Sequence, residues 1–379
     1  MKTAIGDNAI KIRLLSLDFF RGFTVASMIL VNDPGDWAHI YPPLEHSKWN
    51  GCTPTDLVFP SFLFIVGVSI VYAMQAKKDD PATHNKLLLS ILRRTLTILA
   101  LSYTLRLISN FDFTHLRIPG VLPRIAVVFG ITAFLYIKTN VRTQVWVAAV
   151  CMVGYYLIMT LVPVPGVGPA NLEPATNLGA WLDRLVFTPN HLWVDSKTWD
   201  PEGLLGTIPA IGTCLMGLLT GTWLKKDKTK TGRQLLQMAG AGAVLIIAGL
   251  IWNEFFPINK ALWTSSFVLY AGGIAVMILA LCYWLIDVKN YRRLTPPFLA
   301  FGRNAITAYL LADFIPAILT GIKVTADGKK TSLWSYMYNH LFVPFLSPVN
   351  ASLAGAFLMV LIIFIPIWVL YVKKITIRV

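Results

Sequence analysis

Long apolar stretches separated by short clusters of Lys and Arg set the rhythm of this chain. A helix that crosses the hydrocarbon core of a bilayer, about 30 Å thick, needs about 20 mostly apolar residues. By that rule the sequence predicts about ten spans: 14–33, 55–76, 87–108, 119–137, 144–163, 203–223, 235–253, 262–286, 297–320 and 350–372. The fold class expected is therefore an all-α polytopic membrane protein, one transmembrane domain over 1–379 built as a helical bundle. The first and ninth spans are the least apolar, because they contain Asp18 and Arg21, and Arg303, Asn304 and Asp313. Segment 331–346, TSLWSYMYNHLFVPFL, is too short and too polar to span and reads as interfacial or re-entrant.

Composition supports the same picture. Only 14% of residues are charged against 55% hydrophobic, with a mean hydropathy of +0.61. Soluble domains carry about 25% charged residues, so this chain is short of polar surface for water. The net charge of +14 would suit nucleic acid, but the basic residues fall in short clusters between apolar runs, as membrane orientation signals do. No nucleic-acid partner is expected; the partner is the lipid bilayer, and a homodimer is open to such a bundle. Cys52, Cys151, Cys214 and Cys282 fall one to a segment, which gives neither a disulfide framework nor a metal site. The first apolar run carries Asp18 and Arg21 and no small-residue cleavage site follows it, so it reads as a retained span.

Sorting Lys and Arg between alternate loops predicts the orientation. The N-terminus, 77–94, 138–142, 225–233, 289–293 and the C-terminus hold most of the chain's 33 basic residues. The opposite set holds Lys48, Arg117, Arg184, Lys197, Lys260, Lys323, Lys329 and Lys330. Both termini are thus expected in the cytoplasm. Loops 34–54, 164–202 and 321–349 then face outward, and His39, His46, His115, His191 and His340 all lie on that side. Trp37, Trp49, Trp181, Trp193 and Trp199 lie on the same side. An aromatic belt accounts for such rings, and so does binding of sugar faces.

Ionisable groups within spans are costly and usually face the bundle interior or an aqueous cavity. Asp18 and Arg21 are three apart and share a helix face, which fits a structural ion pair. Arg303 lies roughly level with Arg21, and two guanidinium groups at one depth also suit phosphate, which they bind with paired donors. Arg106 and Arg124 sit near the outer ends of their spans, where snorkelling is sufficient explanation. Outside, His46, Asp56, Asp200 and Glu202 gather base and carboxylate chemistry, and Asn32 closes the outer end of the first span. A chain built this way either moves a solute or joins two substrates that arrive from opposite sides.

Six blocks narrow that choice. LLSLDFFRGFTVASMILVND (14–33), EHSKWNGCTPTDLVFPSFLFIVGVSI (45–70), LRIPGVLPRIAVVF (116–129), WDPEGLLGTIPAIGTCLMGLLTG (199–221), LWTSSFVLYAGG (262–273) and PPFLAFGRNAITAYL (296–310) occur in one order over nearly the whole chain. Together they resemble the heparan-α-glucosaminide N-acetyltransferase family of transmembrane acyltransferases. The resemblance implies an enzyme that passes the acetyl group of cytosolic acetyl-CoA to an amino sugar on the far side. In lysosomal members the acceptor is the terminal glucosamine of heparan sulfate, and the essential histidine before the WNG block matches His46. The family asparagine at the end of the first span matches Asn32, and the DLVFP aspartate matches Asp56. Two departures concern the acceptor. The stretch DPGDWAHIYPP (33–43) is Pro-rich and longer than in lysosomal members, and the chain reaches its first span without their large lumenal domain. A compact bacterial enzyme of the plasma (inner) membrane is the expectation.

On this reading His46 removes the amine proton, Asn32 donates to the developing oxyanion, and Asp56 orients the imidazole. Histidine suits the task because its unperturbed pKa of about 6.5 leaves it largely neutral at pH 7. An acetyl-imidazole intermediate is the competing route, and Asp56 also fits as a plain helix N-terminal charge. Arg21 and Arg303, with Asp18 and Asn304, are the candidates for holding acetyl-CoA. Trp49, Asn50, Asp200, Glu202 and Arg124 are the candidates facing the acceptor. No metal is expected. Outside N-acetyl transfer, the readings left are O-acetylation of an envelope glycan and transport of amino sugars.

Overall fold

A computed structural model describes residues 14–109, 111–226, 232–326 and 329–377. Among them the helices are α1 (Leu15–Asn32), α2 (Val58–Lys78), α3 (His84–Ser109), α4 (Val121–Lys138), α5 (Val141–Leu161), α6 (Leu178–Phe187), α7 (Leu204–Lys226), α8 (Gly232–Asn253) and α9 (Ser265–Cys282). They continue with α10 (Pro296–Arg303), α11 (Ala305–Gly321), α12 (Leu333–Leu341) and α13 (Pro348–Val372). The only sheet among the described residues is an antiparallel hairpin of β1 (Lys323–Ala326) and β2 (Lys329–Ser332), with Lys323 opposite Ser332. Nine of these helical segments are long and apolar enough to cross a membrane. The protein is an all-α integral membrane protein.

Its apolar surface is distributed as lipid requires. The centre of the bundle is α2 against α7, where Leu63, Phe64, Ile65, Val68, Ala210, Cys214 and Leu218 are fully buried. Helices α3, α5, α8 and α13 instead present large apolar side chains outward, among them Leu89, Leu96, Trp146, Val150, Val244, Ile247, Leu361 and Ile365. In water such a surface would drive aggregation; in hydrocarbon it costs nothing.

The segment expected as a ninth continuous span is broken. Helices α10 and α11 meet at Asn304 with a bend of 86°. Close packing explains why the first half turns aside: α10 crosses α1 backbone to backbone, and a side chain at Gly22 would strike the Phe298 carbonyl while one at Gly302 would strike that of Asp18. Small residues permit this approach between membrane helices. Asn304 then holds the bend, donating its amide to the Ile375 carbonyl at 3.2 Å and accepting from the Ile377 N–H at 3.1 Å. Segment 331–346, expected as interfacial or re-entrant, forms the end of the hairpin and α12, whose first turn is capped by Ser332 Oγ accepting from Ser335 N–H at 3.0 Å.

Candidate active site

Residues 42–57, which join α1 to α2, build one wall of the site. Pro54 starts a single 3₁₀ turn over Pro54–Leu57, and Thr53 and Asp56 form a reciprocal capping box across it. Asp56 is completely buried. Its Oδ2 accepts from Ser47 N–H at 3.0 Å, Thr53 N–H at 3.0 Å and Thr53 Oγ1 at 3.1 Å. Its Oδ1 is left to meet His46 Nδ1 at 2.7 Å. The two readings of Asp56, as cap and as histidine partner, are thus satisfied by different oxygens of one carboxylate. Because the cap fixes the carboxylate, it also fixes the imidazole, whose Nδ1–H donates to Asp56 and whose lone pair is then on Nε2.

A second strand of chain is stitched to this wall. Gly51 N–H donates to the Ile258 carbonyl at 2.7 Å, and Asn259 Nδ2 donates to Asn50 Oδ1 at 3.2 Å. Gly51 sits at φ +108, the left-handed region that favours glycine. Asn259 is fully buried and also accepts from Leu262 N–H at 2.8 Å. This stitching brings Lys260 Nζ to 3.1 Å from His46 Nδ1, 3.5 Å from Nε2 and 3.7 Å from Asp56 Oδ1. Burial holds the Lys260 ammonium below its ordinary pKa, with the Asp56 and Glu202 charges opposing. The neighbouring Cys52 thiol is pushed up to about 12 by burial, with the Asp56 charge adding to it. At neutral pH it is a thiol and a poor nucleophile.

These groups stand at a cavity of about 450 Å³. Its polar rim includes His46, Lys48, Lys260, Arg117 and Glu202, beside Trp193 and Trp199. Deeper, one face of α1 lines it from Asn32 through Met28 to Thr24, opposite Phe59 and Phe62 of α2 and Tyr309 and Ala305 of α11. Eight residues at 1.5 Å rise give that wall a depth of about 12 Å, and its foot lies one turn from Arg21. The lining fits a thin, mostly apolar chain with a polar reacting end near His46.

The acceptor-facing candidates separate. Glu202 lines the cavity, but Arg117 grips it at 2.6 Å and also holds Asp200 through Nε at 2.8 Å and Nη2 at 2.7 Å. Burial alone would lower the Arg117 pKa; its hydrogen bonds and the two carboxylate charges outweigh that and raise it. Asp200 is buried behind this bridge. Trp49 stands one layer back, edge-on to Trp199 at 5.0 Å with its Nε1–H on the Leu172 carbonyl at 3.0 Å. Asn50 serves the stitch to Asn259. Arg124 is buried away from the cavity lining, donating from Nη2 to the Gly203 carbonyl at 2.8 Å over the Trp263 ring.

The other candidates gather at the opposite end of α1. Arg21 donates to Asp18 at 3.0 Å, to the Gly302 carbonyl at 3.2 Å and to Ser69 Oγ at 2.7 Å. The Arg303 guanidinium lies over the Tyr371 ring at 5.0 Å, and its Nε has no hydrogen-bond partner among the described residues. Lys260 and Arg117 were counted in the sequence only as loop charges. Their signal was available: Arg117 lies at the start of the block at 116–129, and Lys260 lies two residues before the block at 262–273.

Comparison with known proteins agrees with the blocks. The chain is 30% identical over 351 residues to heparan-alpha-glucosaminide N-acetyltransferase of Mus musculus, covering 79% of this chain and 53% of that protein. It is 29% identical over 356 residues to the Homo sapiens protein of the same name, covering 80% of this chain and 53% of that one. This chain therefore spans about half the length of these curated relatives. Residues 13–251 match the family described as heparan-alpha-glucosaminide N-acetyltransferase, catalytic, and the chain belongs to that family.

Proposed function

We propose that the protein transfers the acetyl group of acetyl-CoA to the amine of an amino sugar, glucosamine or a glucosamine-terminated glycan, with the two substrates entering from opposite sides of the membrane. The observation that carries this reading is the His46–Asp56 pair, 2.7 Å apart at the rim of a cavity that descends α1 to Thr24. The imbalance of Lys and Arg between alternate loops supports a cytoplasmic entry at the Arg21 end and an extracytoplasmic His46. Arg303, with its unpartnered Nε, suits a phosphate of the nucleotide, while Arg21 and Asn304 hold the α10–α11 break beside it.

At the rim, the acceptor enters as an ammonium ion and loses one proton to water. Its amine attacks the thioester carbonyl, so that a C–N bond forms and the C–S bond breaks. His46 Nε2 takes one of the two protons left on the nitrogen and returns it to the departing sulfur, giving an amide that keeps the other N–H and a free thiol. Base catalysis of this kind contributes about 10²–10⁴-fold. The Asn32 amide lines the same cavity and has no hydrogen-bond partner among the described residues, so it is available to the carbonyl oxygen as charge develops. Trp193 and Trp199 offer an apolar face to a sugar ring.

An acceptor screen tests the reading. Purified protein in detergent, given acetyl-CoA, should release CoA thiol with glucosamine and yield N-acetylglucosamine. Release with hydroxyl-only glycans and none with amino sugars would replace it with O-acetylation. For sidedness, Lys48→Cys should react with an impermeant maleimide in intact cells. Labelling only after lysis would reverse the orientation.

A further inference from the structure

We propose that Lys260 is the counter-cation of the buried Asp56 carboxylate, and that it thereby keeps His46 unprotonated and free to take the acceptor's proton. This rests on the reading of His46 as base. Four donors satisfy Asp56: Ser47 N–H, Thr53 N–H, Thr53 Oγ1 and His46 Nδ1. None of them need carry charge. A fully buried carboxylate without a compensating cation would draw the nearest titratable base into its charged form, and the nearest is His46 at 2.7 Å. An imidazole held permanently as the cation has no lone pair to offer.

Lys260 Nζ supplies that charge from 3.7 Å. A proton added to His46 would stand 3.1–3.5 Å from an ammonium, so the arrangement favours a neutral ring. Nζ lies closer to Nδ1, at 3.1 Å, than to Nε2, at 3.5 Å. The other groups facing Lys260 are Glu202 and Cys52. Glu202 is bridged to Arg117 and Cys52 is a neutral thiol, so Asp56 is the anion that the lysine balances. Lys48 and Arg117 share the cavity rim and add positive charge of the same sign. In this role Lys260 is a positioning residue that acts through His46.

Diethyl pyrocarbonate tests the idea without a turnover assay, because it modifies unprotonated imidazole. The rate of carbethoxylation at His46, followed by peptide mass spectrometry on the full chain in detergent between pH 5 and 9, gives a midpoint for each variant. Loss of a charge at this range shifts such a midpoint by about 1–3 pH units. Lys260→Met and Lys260→Gln should therefore move it upward by that amount, and Lys260→Arg, which keeps the charge but cannot act as a base, should leave it near wild type. A midpoint unchanged in both neutral variants overturns the proposal, as does an Arg variant that shifts as far as Met. Two neutral side chains guard against one failing to fold. Acetyl transfer by His46→Ala is read separately, so failure of the base assignment and failure of the charge coupling give different results.

Discussion

The two ends of α1 hold similar residues in opposite circumstances. At one end His46, Asp56, Lys260, Glu202 and Asn32 converge around open volume; at the other, Asp18, Arg21 and Asn304 are engaged with one another, with Ser69 or with backbone carbonyls. Asn32 and Asn304 make the contrast sharpest. The first lines the cavity, exposed, with no side-chain hydrogen-bond partner among the described residues, while the second uses both its oxygen and its nitrogen on Ile375 and Ile377. Asn304 is buried and so must be satisfied within the bundle, whereas Asn32 is exposed at the cavity and keeps its amide for a ligand.

The contrast can be broken by substitution. Asp56→Asn should lower kcat most, by about 10²–10⁴-fold, because the imidazole loses its fixed tautomer and its anion. Asn32→Ala should lower kcat by about 10²–10³-fold with little change in KM, the mark of a donor used only in the transition state. Trp199→Ala should raise the acceptor KM about tenfold and leave kcat nearly alone. Asn304→Ala should instead cost about 1–3 kcal/mol of stability through the partners it orphans, read as a lower Tm, with kcat changed less than about twofold. If Asn304→Ala cost as much kcat as Asn32→Ala, the division between acting and bracing residues would fail.

The smallest effect expected is one of pH. The Asp183 carboxyl on α6 is raised to about 7, chiefly by burial. In the unfolded chain it titrates near 3.9. Between those values the folded state binds more protons, so this group makes stability fall as pH rises from about 4 to 7. Asp183→Asn should remove that part of the slope from a Tm-versus-pH curve. An unchanged slope would show that Asp183 is ordinary.

Much of the architecture was legible because lipid imposes long apolar runs. The broken span was not: residues 297–320 have the hydropathy of one helix, and the bend comes from tertiary causes, the backbone contact at Gly22 and Gly302 and the tie from Asn304 to Ile375 and Ile377. In the site, His46, Asp56, Asn32 and Glu202 were recognisable as polar residues at span ends, and they line or adjoin one cavity. Lys260 and Arg117 were not, since a loop lysine or arginine looks like an orientation signal until the fold shows what it faces. Trp49, Asn50 and Asp200, expected to face the acceptor, contact Trp199, Asn259 and Arg117.

Transfer by His46 is tested most directly by removing its imidazole. Wild type and His46→Ala, matched for Tm and purified in the same detergent, are given acetyl-CoA labelled in the acetyl group together with glucosamine, and labelled N-acetylglucosamine is measured. A loss of about 10²–10⁴-fold is expected in the variant. Product formed by His46→Ala within about threefold of the wild-type rate would contradict it.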